Sequence, residues 1–417
     1  MSLAVTGALL DGERVGLRAA DGVIAELGPE VEPRDGDEVI DAAGLLLSPP
    51  LVNGHTHAAM TLFRGFGDDL PLMEWLRTKI WPAEARLDPE DVYWGTRLAA
   101  VEMIRSGTTR FFDMYWHGLE VARAVVDAGI RGVVSSVMID RLDPAVGKQA
   151  RPQLLESLDR LAGLDPLVTP SFGPHGIYTV SGESLAWIAE VAADRALPVQ
   201  IHLAETEDEV TECAARTGKT PARYLDELGL LGPRVALAHC VWLDPDEFEL
   251  VAERGATVVT NPAANMKLAV GRAFPYPQAA AAGVALGLGT DGVSSNSNLD
   301  MLEEVKLLAL LQKHASGDPS MLPAAEALAI ARGRRSELIG GSPLEVGAPA
   351  DLLLLRSGDP ELSAGGLAGD LVYAASGSVV DTTVVAGRML MRGRVVPDAE
   401  EVVAEVGARA ARLTADS

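Results

Sequence analysis

The stretch that decides the fold is LLLSPPLVNGHTH, residues 45–57, in which a short apolar run leads into Asn53-Gly54-His55-Thr56-His57. Apolar runs without alternation are typical of strands buried on both faces, as in parallel sheets. An open doubly wound sheet would usually carry a glycine-rich phosphate loop after its first strand, and here two histidines stand in that place. His55 and His57 are two residues apart, so on a strand both imidazoles point to the same side, which we expect to be a barrel interior.

Apolar runs of the same kind recur from about residue 50 to residue 340, separated by amphipathic segments rich in Ala, Leu and Glu. The predicted strands are Leu45–Leu51, Thr108–Phe112, Gly132–Met138, Val168–Phe172, Val199–Leu203, Val235–Ala238, Thr257–Thr260 and Val284–Leu288. The clearest predicted helices are Pro89–Arg105, Glu183–Ala193, Pro221–Leu230 and Leu299–Lys313. This α/β alternation of eight strand–helix pairs predicts a (β/α)8 TIM barrel.

Both ends of the chain have a different pattern, with short strands separated by turns. The predicted terminal strands are Leu3–Leu10, Val15–Arg18, Val23–Leu27, Asp351–Leu355, Val379–Ala386, Arg388–Leu390 and Val395–Val396. Asp11-Gly12 and Asp21-Gly22 are strong hairpin signals. We therefore predict a small β-sandwich domain built from residues 1–48 and 347–417, with a terminal helix over Ala399–Leu413, around a barrel domain of residues 49–346.

Composition excludes several classes of protein. The 417 residues include 35 basic and 59 acidic ones, and the resulting net charge of −24 would repel a nucleic-acid backbone. The 2 cysteines cannot build a disulfide framework. No apolar run is long enough to span a membrane, and Met1–Gly16 lacks the basic leader of a signal peptide. We expect a cytoplasmic protein that acts on a small molecule, with no nucleic-acid or membrane partner.

The placement of the histidines is the most informative feature of the chain. Five of the 7 follow predicted strands, at the barrel end where active sites lie. These five are His55, His57, His175, His202 and His239. Any one of them alone is better explained as a hydrogen-bonded structural residue, but five on one face favour a metal site. His55, His57 and His202 together with Asp291, which ends the eighth strand, predict an open site for one Zn²⁺, with Fe²⁺ as the alternative.

Glu205 follows His202 by three residues, within reach of a water molecule at such a site. We expect it to be the general acid/base, although a glutamate at a helix start is also explained by the helix dipole. His239 is then available to hold the attacking oxygen or to be a further ligand.

These motifs resemble the amidohydrolase superfamily, in its cytosine-deaminase-like branch, over nearly the whole chain. The motifs that match are Val52-Asn53-Gly54-His55-Thr56-His57, Ser106-Gly107-Thr108-Thr109, Gly173-Pro174-His175, His202-Leu203-Ala204-Glu205-Thr206, His239-Cys240, Gly289-Thr290-Asp291-Gly292 and Ala350-Asp351-Leu352-Leu353-Leu354. The resemblance implies a distorted barrel with a β-sandwich made from both termini. Two-metal members commonly use a carboxylated lysine on the fourth strand, and Leu167–Gly173 contains none, so the resemblance also implies a single metal.

Within that branch the chain is most similar to deaminases of 5′-methylthioadenosine and S-adenosylhomocysteine. The segments that carry this similarity are Trp75 to Glu84, Asn261-Pro262, Asn265-Met266-Lys267-Leu268 and Ser294-Ser295-Asn296. The resemblance implies that His55, His57, His202 and Asp291 hold zinc, and that Glu205, His239 and Asp291 transfer protons and stabilise the attacking oxygen.

The same resemblance implies substrate contacts. Trp75 would cover the nucleoside, Glu84 would bind the ribose hydroxyls and His175 the purine, with Ser295 as a further contact. Relatives place arginines that grip an amino-acid carboxylate in the loop after the third strand, here Asp140–Gln153, and this makes Arg151 a candidate.

The function expected is hydrolytic deamination of an adenosine-type nucleoside, attack on a C–N bond of a cyclic amidine that releases ammonia. Substrates in this class are adenosine, 5′-methylthioadenosine, S-adenosylhomocysteine and other 5′-substituted adenosines. The alternatives are a deaminase of a free base or pterin, an s-triazine amino- or chlorohydrolase, and a non-catalytic barrel scaffold. The presence of both Glu205 and Asp291 favours displacement of an amine over chloride. Barrels of this type commonly pair through helices near the mouth, which leaves a homo-oligomer open.

Overall fold

The structure, a computed structural model, describes residues 2–362 and 366–415. Within them the strands are β1 (Ser2–Leu10), β2 (Glu13–Ala20), β3 (Val23–Gly28), β4 (Glu38–Asp41), β5 (Leu45–Ser48), β6 (Leu51–Thr56), β7 (Thr108–Asp113), β8 (Arg131–Met138), β9 (Val168–Pro174), β10 (Val199–Leu203), β11 (Val235–His239), β12 (Thr257–Thr260), β13 (Ala285–Leu288), β14 (Leu352–Arg356), β15 (Val380–Val385) and β16 (Arg388–Met391).

The helices, in the same part of the chain, are α1 (Leu72–Trp75), α2 (Trp81–Glu84), α3 (Pro89–Ser106), α4 (Gly118–Ala128), α5 (Pro144–Ala162), α6 (Gly182–Arg195), α7 (Glu207–Thr217), α8 (Pro221–Glu227), α9 (Pro245–Arg254), α10 (Pro262–Lys267), α11 (Tyr276–Ala281), α12 (Met301–Ser316), α13 (Ala324–Ala331), α14 (Leu367–Gly369) and α15 (Ala399–Thr414). A π-helical turn, Leu76–Ile80, joins α1 to α2. None of these helices combines the length and apolar composition that crossing a membrane requires.

The eight strands β6 to β13 form the predicted barrel. Each pairs in parallel with the next along the chain. The first and last strands meet at their carboxyl ends, where the backbone N–H of Asp291 donates to the carbonyl oxygen of His55 at 3.0 Å. Beneath that bond, the side chain of Asn53 donates to the hydroxyl of Thr290 at 2.7 Å and accepts from its backbone N–H at 3.1 Å. This closure places the end of the eighth strand directly beside the two histidines of the first.

Strands from both termini form the second, mixed sheet. Its order is β16-β15-β14-β5-β1-β2-β3, with β4 paired to β1. Apolar side chains from nearly all of these strands share one core cluster, which is why segments far apart in sequence form one unit. The leucine and isoleucine side chains buried in that cluster are Leu3, Leu17, Ile24, Ile40, Leu47, Leu352 and Leu354. Both parts of the predicted fold are confirmed.

Contacts between charged residues join the two parts. Arg131 on β8 pairs with Asp351 through two parallel hydrogen bonds of 2.7 and 2.9 Å. The terminal helix α15 is held to α3 by Arg409 and Arg412, whose guanidinium groups both donate to the fully buried carboxylate of Asp91.

Three of the predicted segments need correction. Leu45–Leu51 is not one barrel strand: Ser48 ends a strand of the terminal sheet, and the barrel strand begins at Leu51, because Pro49 and Pro50 interrupt the ladder. Val395–Val396 is not a strand, since Val395 makes only an isolated bridge with Arg392.

The third correction concerns Asp140–Gln153, which is mostly helix. Helix α5 begins at Pro144, with the side chain of Asp143 accepting from the N–H of Ala145 at 2.9 Å. The domain boundaries 48/49 and 346/347 stay a prediction, and residues 1, 363–365 and 416–417 of the terminal domain lie outside the described residues.

Candidate metal and active site

Side chains at the carboxyl ends of the barrel strands converge on one point. Nε2 of His202 lies 3.1 Å from Nε2 of His55 and 3.2 Å from Nε2 of His57. Oδ1 of Asp291 lies 3.1 Å from Nε2 of His57 and 3.6 Å from Nε2 of His55. The four residues predicted as ligands are therefore brought together, from strands on opposite sides of the barrel.

A fifth donor, His239, belongs to the same cluster. Ligand atoms of His55, His202, His239 and Asp291 all lie within 4.8 Å of one another, and all four side chains are buried. His57 contacts two members of this set and is also largely buried, with 13% of its side chain exposed. The geometry thus offers four imidazoles and one carboxylate: the four predicted ligands, and His239, which the sequence analysis left open as a further ligand.

The outward-facing nitrogens of two of these histidines are bound by backbone carbonyls. Nδ1 of His57 lies 2.6 Å from the oxygen of Met114, and Nδ1 of His202 lies 2.5 Å from the oxygen of His175. A carbonyl oxygen only accepts, so each Nδ1 carries a proton and each Nε2 faces the centre.

Side-chain amides perform the same task for the other two. Nδ1 of His55 donates to Oε1 of Gln200 at 3.1 Å, and Nδ1 of His239 donates to Oδ1 of Asn265 at 2.8 Å. Gln200 is itself held by donating to the backbone oxygen of Asp113 at 2.7 Å. Such outer hydrogen bonds orient ligand rings and tune the metal.

Sequence reasoning missed these two amide partners. Asn265 lies in a motif that supports the family resemblance, but nothing local assigns it to His239. Gln200 lies two residues before His202 on β10, so the two side chains share the inner face of that strand. The two-residue repeat of side chains along a strand could therefore have identified Gln200 as a candidate partner.

Charges at the centre suit a cation. Burial lowers the pKa of His55 to about 4 and that of His175 to about 3, so both rings are neutral near pH 7. Burial opposes ionisation of Asp291, but hydrogen bonds from His55 and His57 outweigh it and hold the pKa of this carboxyl well below its usual range. Burial also opposes a charged His57, whereas its bond to Asp291 raises its pKa to about 9. A metal ion would compete with that proton for the same nitrogen.

Glu205 lies beside the cluster and is almost fully buried. Its Oε2 is 3.8 Å from Nε2 of His239, and burial, with the charge of Asp291 adding to it, raises its pKa to about 8. The carboxylate of Glu209 accepts from the backbone N–H groups of Ala204 and Glu205 at 2.9 and 3.0 Å. These bonds fix the turn that carries Glu205, in which Ala204 has a positive φ of 49°.

Asp291 is oriented by its neighbours as well. Its φ is 58°, and its Oδ2 accepts from the hydroxyl of Ser295 at 2.6 Å. Ser295, expected to bind substrate, does line the cavity, but its hydroxyl is bonded to this carboxylate.

A cavity opens onto the cluster. Trp75, Glu84 and His175, three of the predicted substrate contacts, line it, as do Glu205 and Asp291. The remaining lining is mostly apolar or aromatic: Met60, Leu72, Leu76, Ile80, Trp81, Met114, Tyr115, Trp116, Val137, Ile139, Tyr178 and Leu268.

Two lining residues have polar partners that hold them in place. The indole N–H of Trp116 donates to Oε2 of Glu84 at 3.3 Å, and burial raises the pKa of Glu84. Nδ1 of His175 lies 3.0 Å from the hydroxyl of Thr179. Both side chains are thus positioned without a ligand.

Arg151 does not line the cavity. It lies on α5, where its guanidinium is 3.4 Å from Glu183 and 5.0 Å from the ring of Trp187, both on α6. Lys148 pairs with the same Glu183 at 3.0 Å. Arg151 and Lys148 thus both pair with Glu183 on the neighbouring helix instead of lining the cavity.

Comparison with known proteins agrees with this architecture. The model of the amidohydrolase family matches residues 46–390 of the chain. The chain belongs to the amidohydrolase family. Its predicted membership is confirmed, and with it the barrel and the terminal sheet expected of this family.

Several named deaminases are similar to this amidohydrolase over most of its length. It is 48% identical over 402 residues to a 5′-deoxyadenosine deaminase of Methanoregula boonei, covering 94% of this chain and 91% of the relative. It is 43% identical over 420 residues to a 5-methylthioadenosine/S-adenosylhomocysteine deaminase of Pelotomaculum thermopropionicum, covering 98% and 95%. The crystal structure of an adenosine deaminase from Xanthomonas campestris with bound zinc matches it with a TM-score of 0.91 and 33% identity, covering 99% of this amidohydrolase and 98% of that chain.

Proposed function

We propose that the protein is a zinc-dependent hydrolytic deaminase of an adenosine-type nucleoside, releasing ammonia and the inosine analogue. The observation that carries the proposal is the position of Glu205 and His239, which lie 3.8 Å apart at the junction between the buried donor cluster and the cavity. A carboxyl and an imidazole there are within reach of both a bound ring and a water molecule. The names of the close relatives support the same substrate class.

The donor set fits zinc. Imidazole nitrogens held by outer hydrogen bonds, with one carboxylate, are ligands that zinc prefers, and we assign the site to His55, His57, His202 and Asp291, with His239 adjoining it. Bound there, zinc would supply Lewis-acid activation of a water molecule near neutral pH.

The protein side chains move the protons. Glu205 takes a proton from the attacking water and delivers it to a ring nitrogen of the purine, while the water oxygen bonds to the ring carbon. The remaining proton of that oxygen is then passed through Glu205 to the amine, the C–N bond breaks, and ammonia leaves as the carbonyl forms. His239, fixed by Asn265, and Asp291, fixed by Ser295, orient the attacking oxygen by accepting hydrogen bonds from its protons through Nε2 and the carboxylate.

The cavity walls supply recognition of the nucleoside. We assign Trp75 to cover the base, His175 to contact the purine and Glu84 to accept from the ribose hydroxyls. Glu84 suits that role because its carboxylate is already oriented by Trp116 and lies on the same cavity as Glu205.

The same walls favour a neutral group at the 5′ position. No lysine or arginine is present among the described residues that line the cavity, whereas Leu72, Leu76, Ile80 and Leu268 are. An amino-acid carboxylate buried there would have no cationic partner, and an unpaired charge costs more to desolvate than the about 2–7 kcal/mol of an unpaired neutral polar group. The preferred substrates are therefore 5′-deoxyadenosine or 5′-methylthioadenosine, ahead of S-adenosylhomocysteine.

Ammonia release by the zinc-loaded protein tests the proposal. The panel contains adenosine, 5′-deoxyadenosine, 5′-methylthioadenosine, S-adenosylhomocysteine, guanine, cytosine and an aminotriazine. Higher kcat/KM for the neutral 5′-substituted adenosines is expected. Turnover of free bases or triazines with none of nucleosides would contradict the nucleoside assignment, and no turnover of any amine would favour a scaffold.

We also propose that this reaction takes place in the cytoplasm without a nucleic-acid partner. The net charge of −24 supports the second point. The oligomeric state stays a prediction, testable by light scattering.

A further inference from the structure

Residues 64–84, here termed the cover segment, form one wall of the cavity. They lie between β6 and α3 and contribute Leu72, Trp75, Ile80 and Glu84 to the lining. Their helical part, Leu72–Glu84, includes the π-helical turn and would be marginal alone in water because it is short. The cover segment therefore needs contacts with the barrel to hold its side chains in place.

Its two ends have such contacts. At the start, Arg64 donates to Glu102 and to the carbonyl oxygen of Ser297. At the end, Glu84 accepts from Trp116 at 3.3 Å. Between these ends the chain turns at Gly65 and Gly67, which have positive φ angles of 70° and 77°, and the indole N–H of Trp75 donates to the carbonyl oxygen of Phe66 at 3.2 Å.

Lys267 contacts this middle region. Its ammonium lies 2.7 Å from Oδ1 of Asp68 in the cover segment. The same ammonium donates to the carbonyl oxygen of Ser294 at 3.1 Å and to the hydroxyl of Ser297 at 3.0 Å, both in the loop after β13. Lys267 itself ends α10, after β12.

One cation thus joins three segments around the barrel mouth. The loop after β13 carries Asp291 and Ser295, α10 carries Asn265, and the cover segment carries the wall. The side chain of Lys267 is 23% exposed and that of Asp68 is 41% exposed, so the ion pair is shielded from water mainly on its lysine side.

We propose that Lys267 is a positioning residue, which holds the cover segment against the barrel mouth and thereby sets substrate affinity. The kinetic part of this inference rests on the proposed function, whereas the positioning itself does not. Lys267 touches neither the donor cluster nor the cavity in this structure, and it acts through Asp68 and the residues that follow it.

Hydrogen–deuterium exchange of the zinc-loaded protein tests the positioning without any substrate. In Lys267→Met we expect amides of residues 65–84 to exchange about three- to tenfold faster, the size expected for loss of a partly shielded ion pair with its hydrogen bonds. Asp68→Asn should give a similar change, and it keeps the test available if Lys267→Met folds poorly. The matched control is Lys219→Met, which removes an ion pair between Lys219, in the loop after α7, and Glu227 on α8. This variant should leave the exchange rates of residues 65–84 unchanged.

Steady-state kinetics test the effect on substrate. We expect KM for 5′-methylthioadenosine to rise about three- to tenfold in Lys267→Met, with kcat within about twofold of the unmodified protein. Lys267→Arg should restore most of the lost affinity. The double variant Lys267→Met with Asp68→Asn should have a KM no higher than that of either single variant. A fall in kcat alone would mean that Lys267 acts through Asn265 and His239, and would overturn the proposal. Unchanged exchange in residues 65–84 would overturn it too, whereas faster exchange in a protein that deaminates no nucleoside would contradict only the proposed function.

Discussion

His239 donates from Nδ1 to Oδ1 of Asn265 across 2.8 Å, and this one bond decides which nitrogen of the ring faces the donor cluster. Both residues are buried, and they come from β11 and α10, 26 positions apart in the chain. The side-chain nitrogen of Asn261 also lies 3.4 Å from Nδ1 of His239, so without the Asn265 oxygen this nitrogen would favour the tautomer that carries its proton on Nε2, facing the cluster.

Removal of the Asn265 side-chain amide should therefore reduce the rate of turnover more than it reduces the stability of the fold. In Asn265→Ala we expect kcat to fall about 10- to 100-fold, the range typical of lost outer hydrogen bonds at metal sites. Kinetics with a parallel thermal melt check this. A variant that melts normally and keeps full kcat would mean that the bond does not orient the ring.

Replacement of Glu205 separates proton transfer from metal binding. Glu205→Gln keeps the shape of the side chain but cannot exchange the proton, so kcat should fall by about 10²- to 10⁴-fold. Zinc content, measured by plasma mass spectrometry, should equal that of the unmodified protein, because Glu205 is not among the assigned ligands. Substantial retained activity would remove Glu205 from the mechanism.

Zinc should stabilise the fold as well as support the reaction. A ligand that binds only the folded state at 100 times its Kd adds about 2.7 kcal/mol to the free energy of unfolding. Chelation should lower Tm and abolish activity, and added zinc should restore both. The control is His202→Ala, for which added zinc should raise Tm much less; an equal rise would place the bound zinc elsewhere.

Acid should weaken the docking of the terminal helix. Burial opposes ionisation of Asp91, but hydrogen bonds from Arg412 and Arg409 outweigh it and lower its pKa. A carboxyl whose pKa is lower in the folded state stabilises the fold above its unfolded pKa of about 3.9, and loses this contribution as pH falls further.

Thermal melts from pH 7 to pH 3 would detect that loss. At pH 7 the Tm of Asp91→Asn should be lower than that of the unmodified protein, and this difference in Tm should become smaller as pH falls below about 4. Protonation of the metal-site histidines affects both proteins alike, so their difference isolates Asp91. A gap independent of pH would show that the charge of Asp91 contributes nothing.

Much of the site could be predicted from the chain alone because strand periodicity places residues on faces. His55 and His57 at adjacent inward positions, and His202, His239 and Asp291 at the ends of later strands, had to meet if the strands closed into a barrel. The order of residues along a strand decides which side chains face inward, and closure of the barrel brings the strand ends together.

Residues that act through a neighbour in space were harder to assign. Arg151 carries the right charge on the right segment, yet α5 turns it toward Glu183. Ser295 reaches the cavity but donates to Asp291, and Lys267 looks like a surface lysine until Asp68 is placed 2.7 Å away. In each case the orientation of a side chain depends on another segment of the chain.

Hydrophobic periodicity along the chain was thus enough to predict the barrel and the terminal sheet, and residue type at the strand ends was enough to predict which metal-binding side chains would meet there. Only the tertiary structure decided the amide partners of His55 and His239, the exclusion of Arg151 from the cavity, and the meeting of three segments at Lys267. The physical reason is that hydrogen-bond geometry over about 3 Å depends on how helices and loops pack, which no short stretch of sequence encodes.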